Sequence, residues 1–99
     1  MKQDKLSEEE VARLLGEVPG WTRKDEAITR TVEFPAFLDG IGFVSRVAEE
    51  AERMNHHPDI DIRWRRVRLV LSTHSAGGLT ALDFDLARRI NARCLGSGT

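Results

Sequence analysis

The three histidines of this chain are the side chains best suited to acid/base chemistry at neutral pH. Imidazole has an unperturbed pKa near about 6.5, so it can both give and take protons in this range. His56 and His57 are adjacent and precede Pro58, whereas His74 lies farther along the chain. Because proline disfavours the helical conformation in the residue before it, we expect the histidine pair at the end of a helix. The carbonyl groups at such an end favour a positive charge, which suits a protonated imidazole.

Two carboxylates have spacings that could support these imidazoles. Glu52 lies four residues before His56, so both can occupy one side of a helix, and the carboxylate could stabilise the protonated ring. Spacing alone favours a plainer interpretation, a surface pair contributing a few tenths of a kcal/mol. Asp83 follows Thr80 by three residues and is best interpreted, taken alone, as part of a helix cap. If that helix begins near His74, Asp83 could also position the His74 ring.

Other chemistries have weaker support in the sequence. A zinc site needs three or four convergent ligands, but side chains of adjacent histidines diverge, and neither HExxH nor CxxC occurs. Cys94 is the only cysteine and falls late in the last expected helix, and no serine lies in a nucleophile elbow. Neither GxGxxG nor a P-loop is present. A metal site is therefore the weaker alternative to acid/base chemistry, and nucleotide cofactors have no support in the sequence.

Length and composition indicate one small domain. The 99 residues are near the commonest domain size, and only the ends, about 1–5 and 96–99, are expected to be loose. The net charge of −1 gives no electrostatic case for nucleic acid, and the arginines of 63–68 are best interpreted as a solvated strand face. One cysteine suits a reducing cytoplasm. No signal peptide or membrane span is expected.

The hydrophobic periodicity predicts an α+β fold in the order α-β-β-α-β-β-α. Adjacent hairpins favour a four-stranded antiparallel sheet, with the three helices packed on one face. The longest helix has apolar residues beyond one stripe, which fits either a broad core contact or an oligomer interface about equally. A change of alternation phase near Arg65 and Arg66 indicates a turn between the last two strands. The predicted helices span 8–15, 36–55 and 81–94, and the strands 21–24, 28–34, 60–64 and 67–74. His74 ends the fourth strand, where alternation places it on the side of Val70 and Ser72 at the rim of the sheet, and 75–80 form a loop.

The stretch from Glu52 to Asp83 resembles the signature of the pterin-4a-carbinolamine dehydratases. That pattern is Glu, three residues, His-His-Pro, five residues, an aromatic, nine residues, His, eight residues and Asp. The matching residues here are Glu52, His56, His57, Pro58, Trp64, His74 and Asp83. Further similarity covers most of the chain: GW at 20–21, IxRxxxF at 28–34, FVxxVAxxAE at 43–52 and THxxGGLT at 73–80. Many relatives have Trp where this chain has Ile60, a departure that could alter a pocket wall.

The resemblance implies a hydro-lyase that removes water from 4a-hydroxytetrahydropterin to give the quinonoid dihydropterin, without metal or organic cofactor. This reaction recycles tetrahydrobiopterin for aromatic amino-acid hydroxylases. The family has the same α-β-β-α-β-β-α fold and forms homodimers or homotetramers. Animal members also stabilise dimers of a homeodomain transcription factor, so the resemblance implies a binding module as the alternative function.

The resemblance also implies roles for particular residues. His56 and His74 would be general acids, His57 would position the substrate and share in proton transfer, and Asp83 and Glu52 would support His74 and His56 respectively. The pterin would contact the His-His-Pro corner and the loop around His74. The implied contacts are Glu52, His56, His57, Pro58, Thr73, His74, Ser75 and Ala76.

Overall fold

The computed structural model describes residues 4–95 and has the predicted α+β architecture. Its elements are α1 (Glu8–Leu15), β1 (Thr22–Lys24), β2 (Ala27–Glu33), α2 (Phe37–Met54), β3 (Asp59–Arg63), β4 (Arg66–Leu71) and α3 (Ala81–Arg89). A short 3-10 helix (His74–Ala76) precedes α3, and a π-helical segment (Ile90–Cys94) follows it.

The four strands form one antiparallel sheet in the order β1-β2-β4-β3. One face is apolar and packs against the helices, because alternate residues of β2 and β4 point to it. Across the central pair, Ile28 lies opposite Leu71 and Val32 opposite Val67. The buried core contains residues of the sheet and of all three helices: Val11, Ile28, Phe43, Val47, Ala51, Val67, Leu69, Leu71, Phe84 and Ala87.

Local sequence explains where the site-bearing helices begin and end. At the start of α3, Thr80 is the N-cap, and its backbone N–H donates to the Asp83 carboxylate over 2.9 Å. At the end of α2, Asn55 adopts the left-handed conformation (φ 50°), which asparagine tolerates better than most residues. The backbone N–H groups of His56 and Asn55 then bond back to Ala51 and Glu52. The helix therefore ends sharply at Met54.

A buried carboxylate joins α2 to the C-terminal helical segment. The Glu50 side chain is only 5% exposed, and its oxygens lie 2.6 Å from Arg53 and 3.1 Å from Arg93. Arg46 also donates to the carbonyl of Cys94 over 3.0 Å. These contacts fix α3 and its extension against α2, which brings Asp83 and the end of α2 together.

Most element boundaries agree with the predictions, and a few differ. The expected helix over 81–94 is α-helical only to Arg89, after which the backbone widens into the π-helical segment. The expected loop over 75–80 begins inside the 3-10 turn His74–Ala76. Of the ends expected to be loose, 1–3 and 96–99 lie outside the described residues, and Lys5 forms an ion pair with Glu26. Between residues 4 and 95, no helix is long and apolar enough to cross a membrane.

Candidate active site

A buried pair formed by His56 and Asp83 lies where the end of α2 meets the start of α3. The Nε2 atom of His56 is 2.7 Å from Oδ1 of Asp83. The Asp83 side chain is fully buried, and that of His56 is 10% exposed. An ionised carboxylate only accepts hydrogen bonds, so the imidazole donates from Nε2. A carboxylate in this position fixes the ring and balances the positive charge that the ring gains on protonation.

The second oxygen of Asp83 is also fully used. Oδ2 accepts from the hydroxyl of Thr73 over 2.8 Å and from the backbone N–H of Thr80 over 2.9 Å. Because Thr73 donates to Asp83, its oxygen can accept from the Thr80 hydroxyl, 2.8 Å away. The N–H of Leu82 in turn donates to Thr80 over 3.2 Å. Asp83 is therefore both a helix cap and the centre of a buried network that holds His56.

The expected partner assignments of the two carboxylates are wrong. Asp83 contacts His56 rather than His74, and Glu52 contacts His57 rather than His56. The physical reason is the left-handed residue Asn55, which redirects the chain after α2. A regular helix would have kept His56 above Glu52, but the turn directs His56 inward and leaves His57 beside the last turn of α2.

His57 forms an exposed pair with Glu52. Its Nε2 lies 2.6 Å from Oε2 of Glu52, and the two side chains are 53% and 76% exposed. Such an exposed pair contributes little to stability, about 0–1 kcal/mol. The pair instead orients the His57 ring, because the Nε2 atom of the ring points toward Glu52 near the end of α2.

His57 and His74 line the same open cavity, which measures about 550 Å³. The cavity lies on the polar face of the sheet, opposite the helices, and Val70 and Ser72 form part of its floor. His74 was predicted to share the side of Val70 and Ser72 at the rim of the sheet, and this placement is confirmed. The strand itself ends earlier than predicted, at Leu71, and His74 begins the 3-10 turn.

The remaining predicted contact residues lie around this corner. Pro58 is partly buried between His57 and β3, and Thr73 is buried in the Asp83 network. Thr73 also forms a β-bridge with Gly78, which closes the loop that carries the exposed Ser75 and the partly buried Ala76. The cavity wall does not include these four residues.

Sequence reasoning missed several polar residues of the cavity wall. The strand register carries the signal for three of them, since Thr29 and Asp59 pair with Val70 and Arg68 lies two residues from Val70 on the same face. The others follow from the β1–β2 turn, which reaches the cavity from the other side. The additional polar lining residues are Lys24, Asp25, Glu26, Thr29, Asp59 and Arg68.

Two other kinds of site have little support among the described residues. Within 4–95, no group of three His, Cys, Asp or Glu side chains is arranged to hold a metal ion. Cys94 is buried, and this burial raises the pKa of its thiol to about 11. The thiol is therefore protonated at neutral pH and is a poor nucleophile.

Fold and site together define a small α+β protein with carboxylate-supported histidines beside an open cavity. The profile of the family described as pterin 4 alpha carbinolamine dehydratase matches residues 4–93. A Nocardia farcinica protein with the provisional name pterin-4-alpha-carbinolamine dehydratase is 56% identical over 92% of this chain and 96% of its own length. A similarly named Roseiflexus protein is 53% identical over 88% and 94%. The chain belongs to the pterin-4a-carbinolamine dehydratase family.

Solved structures agree with this membership. The crystal structure of a Brucella melitensis transcriptional coactivator/pterin dehydratase superposes with a TM-score of 0.87 at 39% identity, covering 92% of this chain and 99% of that one. A pterin dehydratase-like protein described as a RuBisCO assembly factor of the alpha-carboxysome has a TM-score of 0.61 at 19% identity, covering 78% and 89%. The second likeness shows a shared fold only.

Proposed function

We propose that this chain is a 4a-hydroxytetrahydrobiopterin dehydratase, a hydro-lyase that converts 4a-hydroxytetrahydropterin into quinonoid dihydropterin and so supports recycling of tetrahydrobiopterin. The observation that carries the proposal is the cavity that His57 and His74 share, together with the neighbouring His56, which lies outside the cavity wall and is held by Asp83. Family membership supports the same reaction class. A cytoplasmic location suits the single free thiol.

The chemistry requires two proton transfers. The substrate carries its hydroxyl on a carbon bonded to nitrogen, and the nitrogen lone pair forms the new C=N bond as the C–O bond breaks. A general acid protonates the departing oxygen, which leaves as water, and a base removes a ring N–H proton. A pair of imidazoles can do both at neutral pH, and such catalysis typically contributes ~10²–10⁴-fold.

The geometry supports distinct parts for the three histidines in this proposal. His74 is exposed to the cavity and acts as one general acid. His56 acts as the second, because Asp83 occupies its Nε2 and balances the charge of its protonated form. His57, held by Glu52, positions the pterin and shares in proton transfer as the base that removes the ring N–H proton. Pro58, Thr73, Ser75 and Ala76 lie outside the cavity wall, and only the family pattern supports them as pterin contacts.

Stopped-flow absorbance of 4a-hydroxytetrahydropterin decay tests the proposed reaction. We expect purified protein to accelerate the decay, and we expect the acceleration to persist after treatment with EDTA, because the proposed proton transfers use side chains only. Spontaneous decay without protein is the baseline. No acceleration at micromolar protein would contradict the proposal.

We also propose that the protein is a homodimer or homotetramer. Ile60 and Ile62 on the edge strand β3 lie opposite Leu69 and Val67 on the helix side of the sheet, yet each is 38% exposed. On α2, Phe37 is also 45% exposed. A second copy would cover exposed apolar side chains such as these.

Sedimentation velocity tests the oligomer. We expect the wild type to sediment as a dimer or tetramer at micromolar concentration and Ile62→Lys to shift it toward monomer, because a buried charge without a partner destabilises the interface. Thr22→Lys on the opposite edge strand β1 is the matched control, since Thr22 is exposed and lies outside the patch. A monomeric wild type would contradict the proposed assembly.

A non-catalytic binding module is the second candidate function. Leu38 and Trp64 have the largest exposed fractions among the exposed large hydrophobic residues of the described chain, at 75% and 70%. A surface for a different partner protein would account for this exposure. Two structural neighbours are described as a transcriptional coactivator/pterin dehydratase and as an assembly factor. A partner-binding role would survive loss of His74, whereas dehydration would not, so the histidine variants discussed below discriminate between the two functions.

A further inference from the structure

A second cavity on the polar face of the sheet adjoins the histidine cavity. It measures about 360 Å³, and Arg68 lines both cavities. Its walls are mostly cationic, whereas the first cavity contains more acids than cations. The full lining of the second cavity is Thr31, Asp61, Arg63, Arg66 and Arg68. We call the two cavities together the outer groove.

The strand register sets the order of side chains along the outer groove. On β4, Val70 lies at the histidine end, Arg68 follows on the same face, and Arg66 follows Arg68. Residues two apart on a strand are separated by about 7 Å, so Arg66 lies about 13 Å from Val70. The neighbouring strand places Asp61 beside Arg68 and Arg63 beside Arg66. The groove therefore runs from imidazoles to guanidinium groups.

These guanidinium groups are poorly neutralised within the part of the chain that the structure describes. Arg63 has one exposed contact with Asp61 at 3.4 Å. Over residues 4–95, Arg66 and Arg68 form no ion pair and no side-chain hydrogen bond. The guanidinium fork matches the geometry of phosphate and carboxylate groups, which it binds through paired hydrogen bonds. The ligand chemistry that fits this end of the groove is an anion.

We propose that, besides the tetrahydrobiopterin compound named above, the site accepts and favours a 4a-hydroxytetrahydropterin whose C6 substituent carries an anionic group, a phosphate or a carboxylate, and that Arg68 and Arg66 bind this group. This inference rests on the proposed dehydratase function and names its substrate class. With the reacting ring beside His57 and His74, a substituent directed along β4 meets Arg68 first and Arg66 one row farther on. A neutral dihydroxypropyl substituent would leave Arg68 with only Asp61, and Arg66 with only Glu33, as a carboxylate neighbour across the strands.

Matched 4a-hydroxytetrahydropterins that differ only in the C6 substituent test the proposal. We would measure kcat/KM for a neutral dihydroxypropyl pterin, for its phosphate ester and for a carboxylate-bearing analogue. We expect at least one anionic substrate to exceed the neutral one by about tenfold or more, and we expect the advantage to shrink at high salt. The better anion identifies phosphate or carboxylate as the natural group. Equal kcat/KM for all three would overturn the proposal.

Two charge-matched variants localise the effect. Arg66→Gln should lower the ratio of anionic to neutral kcat/KM by about tenfold, because it removes one charge-assisted fork. Arg65→Gln removes the same charge from the adjacent position, but Arg65 stacks on Trp64 and lies outside both cavities, so the ratio should not change. An equal fall of this ratio in both variants would indicate a general effect of net charge and would overturn the proposed anion site.

Equilibrium binding separates this proposal from the proposed reaction. Oxidised, unreactive pterins with the same substituents can be titrated by their fluorescence. The anionic pterin should bind more tightly than the neutral one, and Arg66→Gln should abolish this difference. That result would support the anion site even if no pterin is dehydrated. Dehydration without any preference for the anion would instead leave the proposed function standing and the anion site refuted.

Discussion

Replacing His74 by glutamine should lower kcat for dehydration by about 10²–10⁴-fold, the usual contribution of a positioned general acid or base. Glutamine keeps hydrogen-bonding capacity but does not transfer protons at neutral pH. Because His74 is exposed and its ring belongs to no buried network, the free energy of unfolding should stay within about 0.5 kcal/mol of wild type. Stopped-flow kinetics and thermal unfolding measure the two quantities.

His57→Gln is the matched comparison on the opposite side of the same cavity. If His57 mainly positions the pterin, its loss should raise KM more than it lowers kcat. A folded His74→Gln protein with full kcat would refute the assignment of His74 as a general acid.

Much of the fold was predictable because local signals agreed with one another. The first helix begins at a capping box of Ser7 and Glu10, and the burial of β2 alternates along most of its length, so both elements lie close to their predicted spans. The change of alternation phase near Arg65 correctly predicted a hairpin. Its turn contains Trp64, whose backbone adopts the left-handed conformation. These signals depend on near neighbours in sequence, which is why periodicity and capping reveal them.

The carboxylate–histidine pairing was not predictable in the same way. The spacing of Glu52 and His56 assumes that a helix continues through both, and one left-handed residue at Asn55 changes which histidine Glu52 meets. The contact between His56 and Asp83 joins residues 27 apart and depends on how α3 packs on α2. Sequence identified the right side chains, but tertiary packing determined their partners.

Removal of the Asp83 carboxylate should have the largest combined effect on stability and activity. Asp83→Ala leaves the His56 ring, the Thr73 hydroxyl and the Thr80 N–H without their buried acceptor. Breaking a buried charged pair typically costs about 3–5 kcal/mol, a large fraction of the stability of a domain this size. We therefore expect a free energy of unfolding lower by about that amount in urea denaturation.

Asp83→Asn separates structure from chemistry at the same position. The amide oxygen can still accept from Thr80, so most of the helix cap should survive, but the negative charge beside His56 is lost. We expect a folded protein whose kcat falls by tenfold or more, since the protonated His56 ring loses its counter-charge. Asp85→Asn on the same helix is the control, because Asp85 is 56% exposed and, within residues 4–95, forms an ion pair only with Arg88. Equal effects at both positions would show that the buried pair has no special part in dehydration, and His56 would lose its proposed role as an acid.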